Sequence, residues 1–434
     1  MSKQNLNRGL ADFIQASPTP YHAVASLEAE LQAAGFVRLN ESDTWSLEKK
    51  SSYYVTRGGS SIVAFKTGTQ DLETTGFHMV GAHTDSPCLK VKPQPEINRH
   101  KYVQLGVEVY GGVLLNPWFD RDLSLAGRVD YQDKKGALCY TLMNFERPIA
   151  VIPSLAIHLD HQANENRSVN AQTYLPPILS QTLEGKCFDL KKFLLEHLKK
   201  ELKIRDAEKI LAYDLRFYDV QPPAEVGLNN EYITAARLDN LLSCYIGLRS
   251  LIASNSKFGS LLVCSDHEEV GSVSASGARG PFLEAVLDRI MEWLGSGSAE
   301  GKRRMLDNSL FFSVDNAHGI HPNFADKHDD KHGPLLNQGP VIKINGNQRY
   351  ATSSETSAFY RQLCEKAKVP VQAFVVRNDM GCGSTIGPIV AGGLGIKTLD
   401  IGVPTFAMHS IREMAGSNDA EYLAKSLKAF YSRQ

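Results

Sequence analysis

Two adjacent glutamates lie in the stretch CSDHEEVGS, residues 264–272, directly after the apolar run SLLV. A buried strand that ends in Asp266, His267, Glu268 and Glu269 must either reach water or gather its charge around a cation, because unpaired polar groups are costly to desolvate. Three other apolar runs end in similar residues: GFHMVGAHTD in His83 and Asp85, LFFSVDNAHG in Asp315, and TLDIGVPTFAMHS in His409. Asp239, in RLDNL, adds a carboxylate near the start of an expected helix. Imidazole nitrogen and carboxylate oxygen are zinc ligands, and a catalytic zinc keeps one position for water. Two metals about 3.5–4 Å apart need a bridging group, which a carboxylate supplies. His83 and Asp85, at i and i+2, share a face in extended chain, so Asp85 can hold the second imidazole nitrogen. The paired glutamates can divide the work, one binding metal while its neighbour stays uncoordinated and takes the proton of the attacking water. Each residue alone has a plainer reading: solvated glutamates, a turn aspartate at 315, a first-turn acid at 239 favoured by the helix dipole. No tight HExxH-type spacing joins them, so the residues by themselves point to a dinuclear hydrolase only through their convergence.

That convergence depends on the elements carrying them. YYVTRGG, SIVAFKTG and GFHMVGAHTD read as strands, and AARLDNLLSCYIGLRSLIAS and PFLEAVLDRIMEWLG as helices. Strands alternating with helices of this length predict an α/β layer with a largely parallel sheet, which places ligands beyond the carboxyl ends of its strands. The middle of the chain differs. It is entered through VKPQPEINRH and left through YDVQPPAEVGLNNEY, and between them YVQLGVEVYGG and RVDYQDKKGALCYTLMNF alternate apolar and polar residues as antiparallel strands do. The expected organisation is a discontinuous α/β domain, residues 1–95 and 231–434, interrupted by a β-rich insertion at 96–230 carrying one charged amphipathic helix, FDLKKFLLEHLKKELKI.

The chain of 434 residues is 42% hydrophobic and 22% charged, ordinary for a soluble globular protein, and its formal charge of -1 gives no field directed at nucleic acid or a membrane surface. The opening residues MSKQNLNRGLADFIQ carry no apolar signal core, and no apolar run approaches the roughly 20 residues of a membrane span. The seven cysteines, Cys88, Cys139, Cys187, Cys244, Cys264, Cys364 and Cys382, are scattered and never form a CxxC pair, which predicts reduced thiols, a cytoplasmic location and a metal held by His and carboxylates. The loop AHGIHPNFADKHDDKHG reads as a polar rim sooner than as surplus metal ligands, and RNDMGCGSTIGP equally as glycines presenting backbone N–H groups to an oxyanion or carboxylate and as a tight turn, without a nucleotide-binding pattern. Cys382 and Ser384 have no activating partner in sequence and are set aside as nucleophiles.

Beyond these readings, SPTPYHAV, GAHTDSP, PSLAIHL, RLDNL, DHEEVGS, VDNAHGIHPN, GPVIKINGNQRYAT, RNDMGCGSTIGPI and DIGVPTFAMHSIREM, in this order, resemble the motifs of the aspartyl aminopeptidases, cocatalytic dizinc metallo-aminopeptidases. The resemblance implies an α/β/α peptidase domain with a central mixed, largely parallel sheet, interrupted by a β-rich dimerisation domain. It implies two divalent ions per subunit, zinc first, with cobalt or manganese as alternatives for such oxygen and nitrogen ligands. His83 becomes a ligand of one metal and His409 of the other, Asp239 the bridge, and Glu269 and Asp315 the remaining ligands. Glu268 becomes the general base and Asp85 the orienter of His83. His158, or the nearby His161, corresponds to a histidine reaching a neighbouring subunit's active site in a homododecamer built from dimers. The implied substrates are peptides with a free N-terminus, preferably Asp or Glu, for whose side chain Lys343 and Arg377 are candidate cations. The competing readings are another dinuclear amidohydrolase, acting on N-acyl amino acids or from the C-terminus, and a non-catalytic shell-forming peptide-binding protein.

Overall fold

Alternate residues of the central strands sort into two separate cores. The structure, a computed structural model, describes residues 3–181, 188–255 and 257–432, so Cys187 lies outside the described residues. Tyr54, Val80, Ala82, Leu262, Cys264 and Phe312 belong to one apolar cluster, whereas Tyr53, Val55, Phe77, Met79, Leu261, Val263 and Phe311 belong to another. Successive side chains of a strand point to opposite faces, so this division means a sheet covered on both sides. The first cluster takes apolar residues from the helices Lys3–Gln15, Pro20–Ala33, Leu238–Ile252, Ser354–Ala367 and Asp419–Tyr431. The second takes them from Phe282–Leu294, Ala299–Asp307 and Ile386–Leu394. The result is the α/β/α arrangement.

The sheet has nine strands, and its centre is a parallel block in the order Gly259–Ser265, Phe77–His83, Leu310–Val314, Lys397–Gly402. Ser61–Lys66 adds antiparallel to one side of this block and Val341–Ile344 to the other, making the sheet mixed. Three parallel neighbours therefore end together, with Ser265 level with His83 in the register. Past the strand ends, Asp315 N donates to Ile401 O at 2.9 Å, extending the pairing by one residue. Gly402 permits that approach, since a Cβ there would sit 1.8 Å from Asp315 O.

A third sheet was not evident in the sequence. Five short strands, Ala224–Val226, Tyr232–Ala235, Glu413–Gly416, Pro404–Phe406 and Ala317–His318, pair in that order. They split TLDIGVPTFAMHS, expected to be one run ending at His409, into Lys397–Gly402 in the large sheet and Pro404–Phe406 in the small one. His409 follows in a turn.

The chain divides into two compact units, one of Met1–Ser86, Pro223–Met408 and Glu413–Gln434, the other of Pro87–Pro222 and His409–Arg412. The second unit is built on a six-stranded antiparallel sheet in the order Leu138–Asn144, Leu123–Asp133, Ala207–Asp219, Cys88–Arg99, Tyr102–Tyr110, Ile178–Gln181. Its helix Leu190–Lys200 buries Leu190, Leu194 and Leu198, a single stripe at i, i+4, i+8, in that unit's core. Among the described residues, no helix is long and apolar enough to cross a membrane.

Candidate metal centre

Of the four polar residues that follow the strand Gly259–Ser265, two shape the turn and two face the site. Asp266 is buried; its N–H donates to Ser61 Oγ at 2.8 Å, and its carboxylate accepts the His267 N–H at 2.8 Å. His267 takes the left-handed conformation, φ 62°, with Nδ1 2.9 Å from Ser274 Oγ. This turn delivers Glu268 and Glu269 into a short 3₁₀ segment, Glu268–Val270. Their backbone N–H groups donate to the two oxygens of one carboxylate, Glu268 N to Asp85 Oδ1 and Glu269 N to Asp85 Oδ2, both at 3.1 Å. Asp85 is fully buried and also lies against His83, whose Nδ1 is 3.0 Å from Asp85 O and 3.4 Å from Oδ1. One aspartate thus holds the imidazole and both glutamates, which sequence spacing alone suggested only for the imidazole.

The other imidazole nitrogen, Nε2, faces carboxylates: it is 3.5 Å from Asp239 Oδ1 and 3.4 Å from Asp315 Oδ1. Asp239 opens the helix Leu238–Ile252 but is not helical, with φ -83° and ψ 107°, and its peptide bond to Asn240 is cis. It stands in the helix's first turn without helical backbone angles. Asn240 Nδ2 donates to Val314 O at 2.8 Å, fastening this turn to the strand that delivers Asp315. Asp315 shares its second oxygen with Lys343, Nζ to Oδ2 at 3.0 Å, and Lys343 also donates to Asn316 O at 2.9 Å.

The electrostatics are those of crowded like charge. Burial lifts the Glu268 carboxyl, His83 pulls it down, and Asp315, Asp85 and Asp239 lift it again, to about 7. Burial and the neighbouring Asp239 hold Glu269 well above the ordinary carboxyl range. Burial disfavours the His83 imidazolium, but Asp239, Asp315 and Asp85 outweigh it and raise the group well above 6.5. A divalent cation relieves each of these repulsions. His83, Asp239 and Glu269 each bring a ligand atom within 4.8 Å of the others, and the set of one imidazole and two carboxylates suits zinc. These residues fit a metal, with Asp315 beside the group and Glu268 next to it in the chain.

The other expected site residues are outside that three-residue ligand group. His409 is outside that ligand group; it sits at φ 67°, its Nδ1 3.1 Å from Gly112 O, and its own carbonyl accepts Leu114 N–H at 3.1 Å, within the β-rich unit. His158 lies in an exposed turn of the same unit, between exposed Leu155, Ile157 and Leu159, and His161 is exposed nearby. Lys343 is only 2% exposed and already ion-paired with Asp315. Arg377 grips Asp379 with two nitrogens, at 2.9 and 2.6 Å, and donates to Asp326 O. Four residues escaped the sequence reading although the structure ties them to Asp239 or its turn: Ser86, Asn240, Val314 and Glu413. The Asp-Asn dipeptide in RLDNL and the glutamate in HSIREM were their only visible signals.

The profile of the Aminopeptidase I zinc metalloprotease (M18) family matches residues 13–431. The chain belongs to that family. A probable M18 family aminopeptidase 2 of Pseudomonas syringae pv. syringae (strain B728a) is 57% identical over 430 residues, covering 99% of each chain. Among solved structures, a chain of the Ape4 and Nbr1 complex superposes with a TM-score of 0.94 at 38% identity, covering 99% of this chain and 86% of that one. The S. cerevisiae mApe1 dodecamer superposes at 0.84 with 28% identity, covering 99% and 96%. This M18 chain is a zinc metallopeptidase, a hydrolase that acts as an aminopeptidase.

Proposed function

We propose that the enzyme removes an N-terminal Asp or Glu from peptides, with two divalent ions per subunit held by His83, Asp239, Glu269, Asp315 and His409. The observation that carries this reading is the double grip of Asp85, whose two oxygens fix the backbones of Glu268 and Glu269 side by side while only Glu269 joins the ligand group. When bound, the ions supply Lewis-acid polarisation of the scissile carbonyl and bring the pKa of water toward neutrality. Glu268 takes a proton from the attacking water at a carboxylate oxygen and delivers it to the departing amine nitrogen. Asp85, against Nδ1, keeps His83 turned so that Nε2 is the donor atom. Asp239, with two carboxylate oxygens, would be the residue shared between the ions.

For the acidic side chain we favour Lys343 over Arg377. Both have an anionic partner, but Lys343 stands beside Asp315 while Arg377 is engaged by Asp379 on the exposed side. A buried ammonium attracts a carboxylate more strongly than a solvated one does. We assign dimerisation to the β-rich residues, the expected 96–230 insertion, and assembly of dimers into a dodecamer like that of mApe1. Leu155, Ile157 and Leu159, 57%, 48% and 73% exposed, surround His158 with apolar surface of the kind an interface covers, which supports a contribution of His158 to a neighbouring subunit. Cys139, Cys244, Cys264, Cys364 and Cys382 are free thiols, in keeping with a cytoplasmic enzyme.

Initial rates on Glu-, Leu- and Lys-initiated peptides, free and N-acetylated, test the reading. Fast hydrolysis of the free Glu peptide and none of its acetylated form is expected. Hydrolysis of the acetylated form instead would favour a deacylase, and no hydrolysis by zinc-loaded protein a peptide-binding shell.

A further inference from the structure

Glu413 takes no part in the reaction described above, yet it is a glutamate only 2% exposed, beside the proposed bridging residue. It opens the strand Glu413–Gly416, and the sheet register sets it opposite Ala235. From Ala235 the chain passes through Arg237, which lies in the left-handed region at φ 61° and anchors its guanidinium on Ser17 O and Ile14 O, each at 3.2 Å. Two residues further on, Glu413 Oε2 accepts the Asp239 N–H at 2.9 Å. On the other side, Ser86 Oγ donates to Asp239 O at 2.7 Å. The backbone N–H and carbonyl of Asp239 are therefore both tied by side chains from distant parts of the chain, and its extended φ and ψ fix where the carboxylate points.

We infer that Glu413 is a positioning residue for Asp239: its carboxylate, reaching from the five-stranded sheet, pins the Asp239 N–H and aims the Asp239 carboxylate at the metal. A hydrogen bond from a backbone N–H to a buried carboxylate is among the stronger kinds, and leaving the N–H unsatisfied is costly. Residues that orient metal ligands in this way change metal affinity by about 10–100-fold when replaced. The inference rests on the reading of Asp239 as a metal ligand.

Reach and charge can be separated. Glu413→Gln keeps an oxygen at the same distance but removes the charge, whereas Glu413→Asp keeps the charge and withdraws the oxygen by one methylene. Zinc affinity is measured by chelator competition, with the absorption spectrum of the cobalt-substituted protein as a second readout and the metal-free melting temperature as a check on folding. Glu413→Gln is expected to bind zinc within about threefold of the native chain, and Glu413→Asp about 10–100-fold more weakly with an altered cobalt spectrum. Ser86→Ala, which loosens the other tether without touching charge, is expected to weaken zinc about 10-fold. Native zinc affinity in both Glu413→Asp and Ser86→Ala overturns the inference, even if melting temperatures fall. Weakened zinc in Glu413→Gln with native affinity in Glu413→Asp overturns it too, since charge and not reach would be at work. Asp239→Asn serves as the control: if it binds zinc natively, the ligand reading of Asp239 fails, and the role of Glu413 with it.

Discussion

Glu268 and Glu269 are neighbours in sequence with different tasks. Only Glu269 joins His83 and Asp239 as a ligand group, while Glu268 is held next to it by the same Asp85 carboxylate. Removing the charge of Glu268 should therefore leave metal in place: Glu268→Gln is expected to keep native zinc content by elemental analysis and to lose about 10²–10⁴-fold in kcat, the usual worth of a positioned base. A variant with near-native kcat contradicts that role. Asp85→Ala should do the reverse of a clean separation. It leaves the Asp85 carbonyl against His83 Nδ1 but removes the carboxylate beside that nitrogen and both glutamate N–H acceptors at once, so zinc affinity is expected to fall about 10–100-fold together with kcat. Zinc titration that gives native affinity in Asp85→Ala would show that the grip is incidental.

At the scale of elements, the site exists because three parallel strands end side by side and a helix begins with a kink beside them. His22 lies half-buried near the start of the helix Pro20–Ala33, with Nδ1 2.8 Å from Thr19 Oγ1. Burial, with Arg237 nearby, lowers His22 from 6.5 to about 4. A group depressed in the folded state contributes fully above its unfolded pKa and loses that contribution as pH falls toward its folded one. Stability should thus fall between about pH 6.5 and about pH 4, by on the order of 2 kcal/mol from this residue between pH 7 and 5. His22→Gln should flatten that part of the profile in denaturant titrations, and an unchanged slope would show that His22 is not its source. Much of this frame was legible beforehand. Apolar runs ending in His83, Glu268 and Asp315 marked strand ends, and helical spacing marked the layers. The kink at Asp239 was not legible, because RLDNL looks like an ordinary helix start and its geometry is set by Glu413, Ser86 and Val314, far away in sequence. Nor was the five-stranded sheet, whose strands of two to four residues are too short for periodicity to register.

The whole molecule has two compositional regimes, an α/β unit that carries the ligand group and a β-rich unit to which we assign assembly. The exposed turn bearing His158 gives the sharpest expectation at this scale. His158→Ala should retain zinc and subunit number by analytical ultracentrifugation yet lose at least about 10-fold in kcat, as expected of a group that acts in a neighbour's site. Unchanged kinetics in an intact assembly would remove His158 from the mechanism. The central claim, a zinc-dependent aminopeptidase selective for acidic first residues, is tested most directly by stripping the metal and following initial rates on Asp- and Leu-initiated peptides as zinc is returned. Expected are no turnover without metal, full activity at two zinc ions per chain, and at least about 10-fold preference for the Asp peptide, the effect of about 1.4 kcal/mol from one buried charge pair. Full activity without zinc, or equal rates on the two peptides, would contradict it.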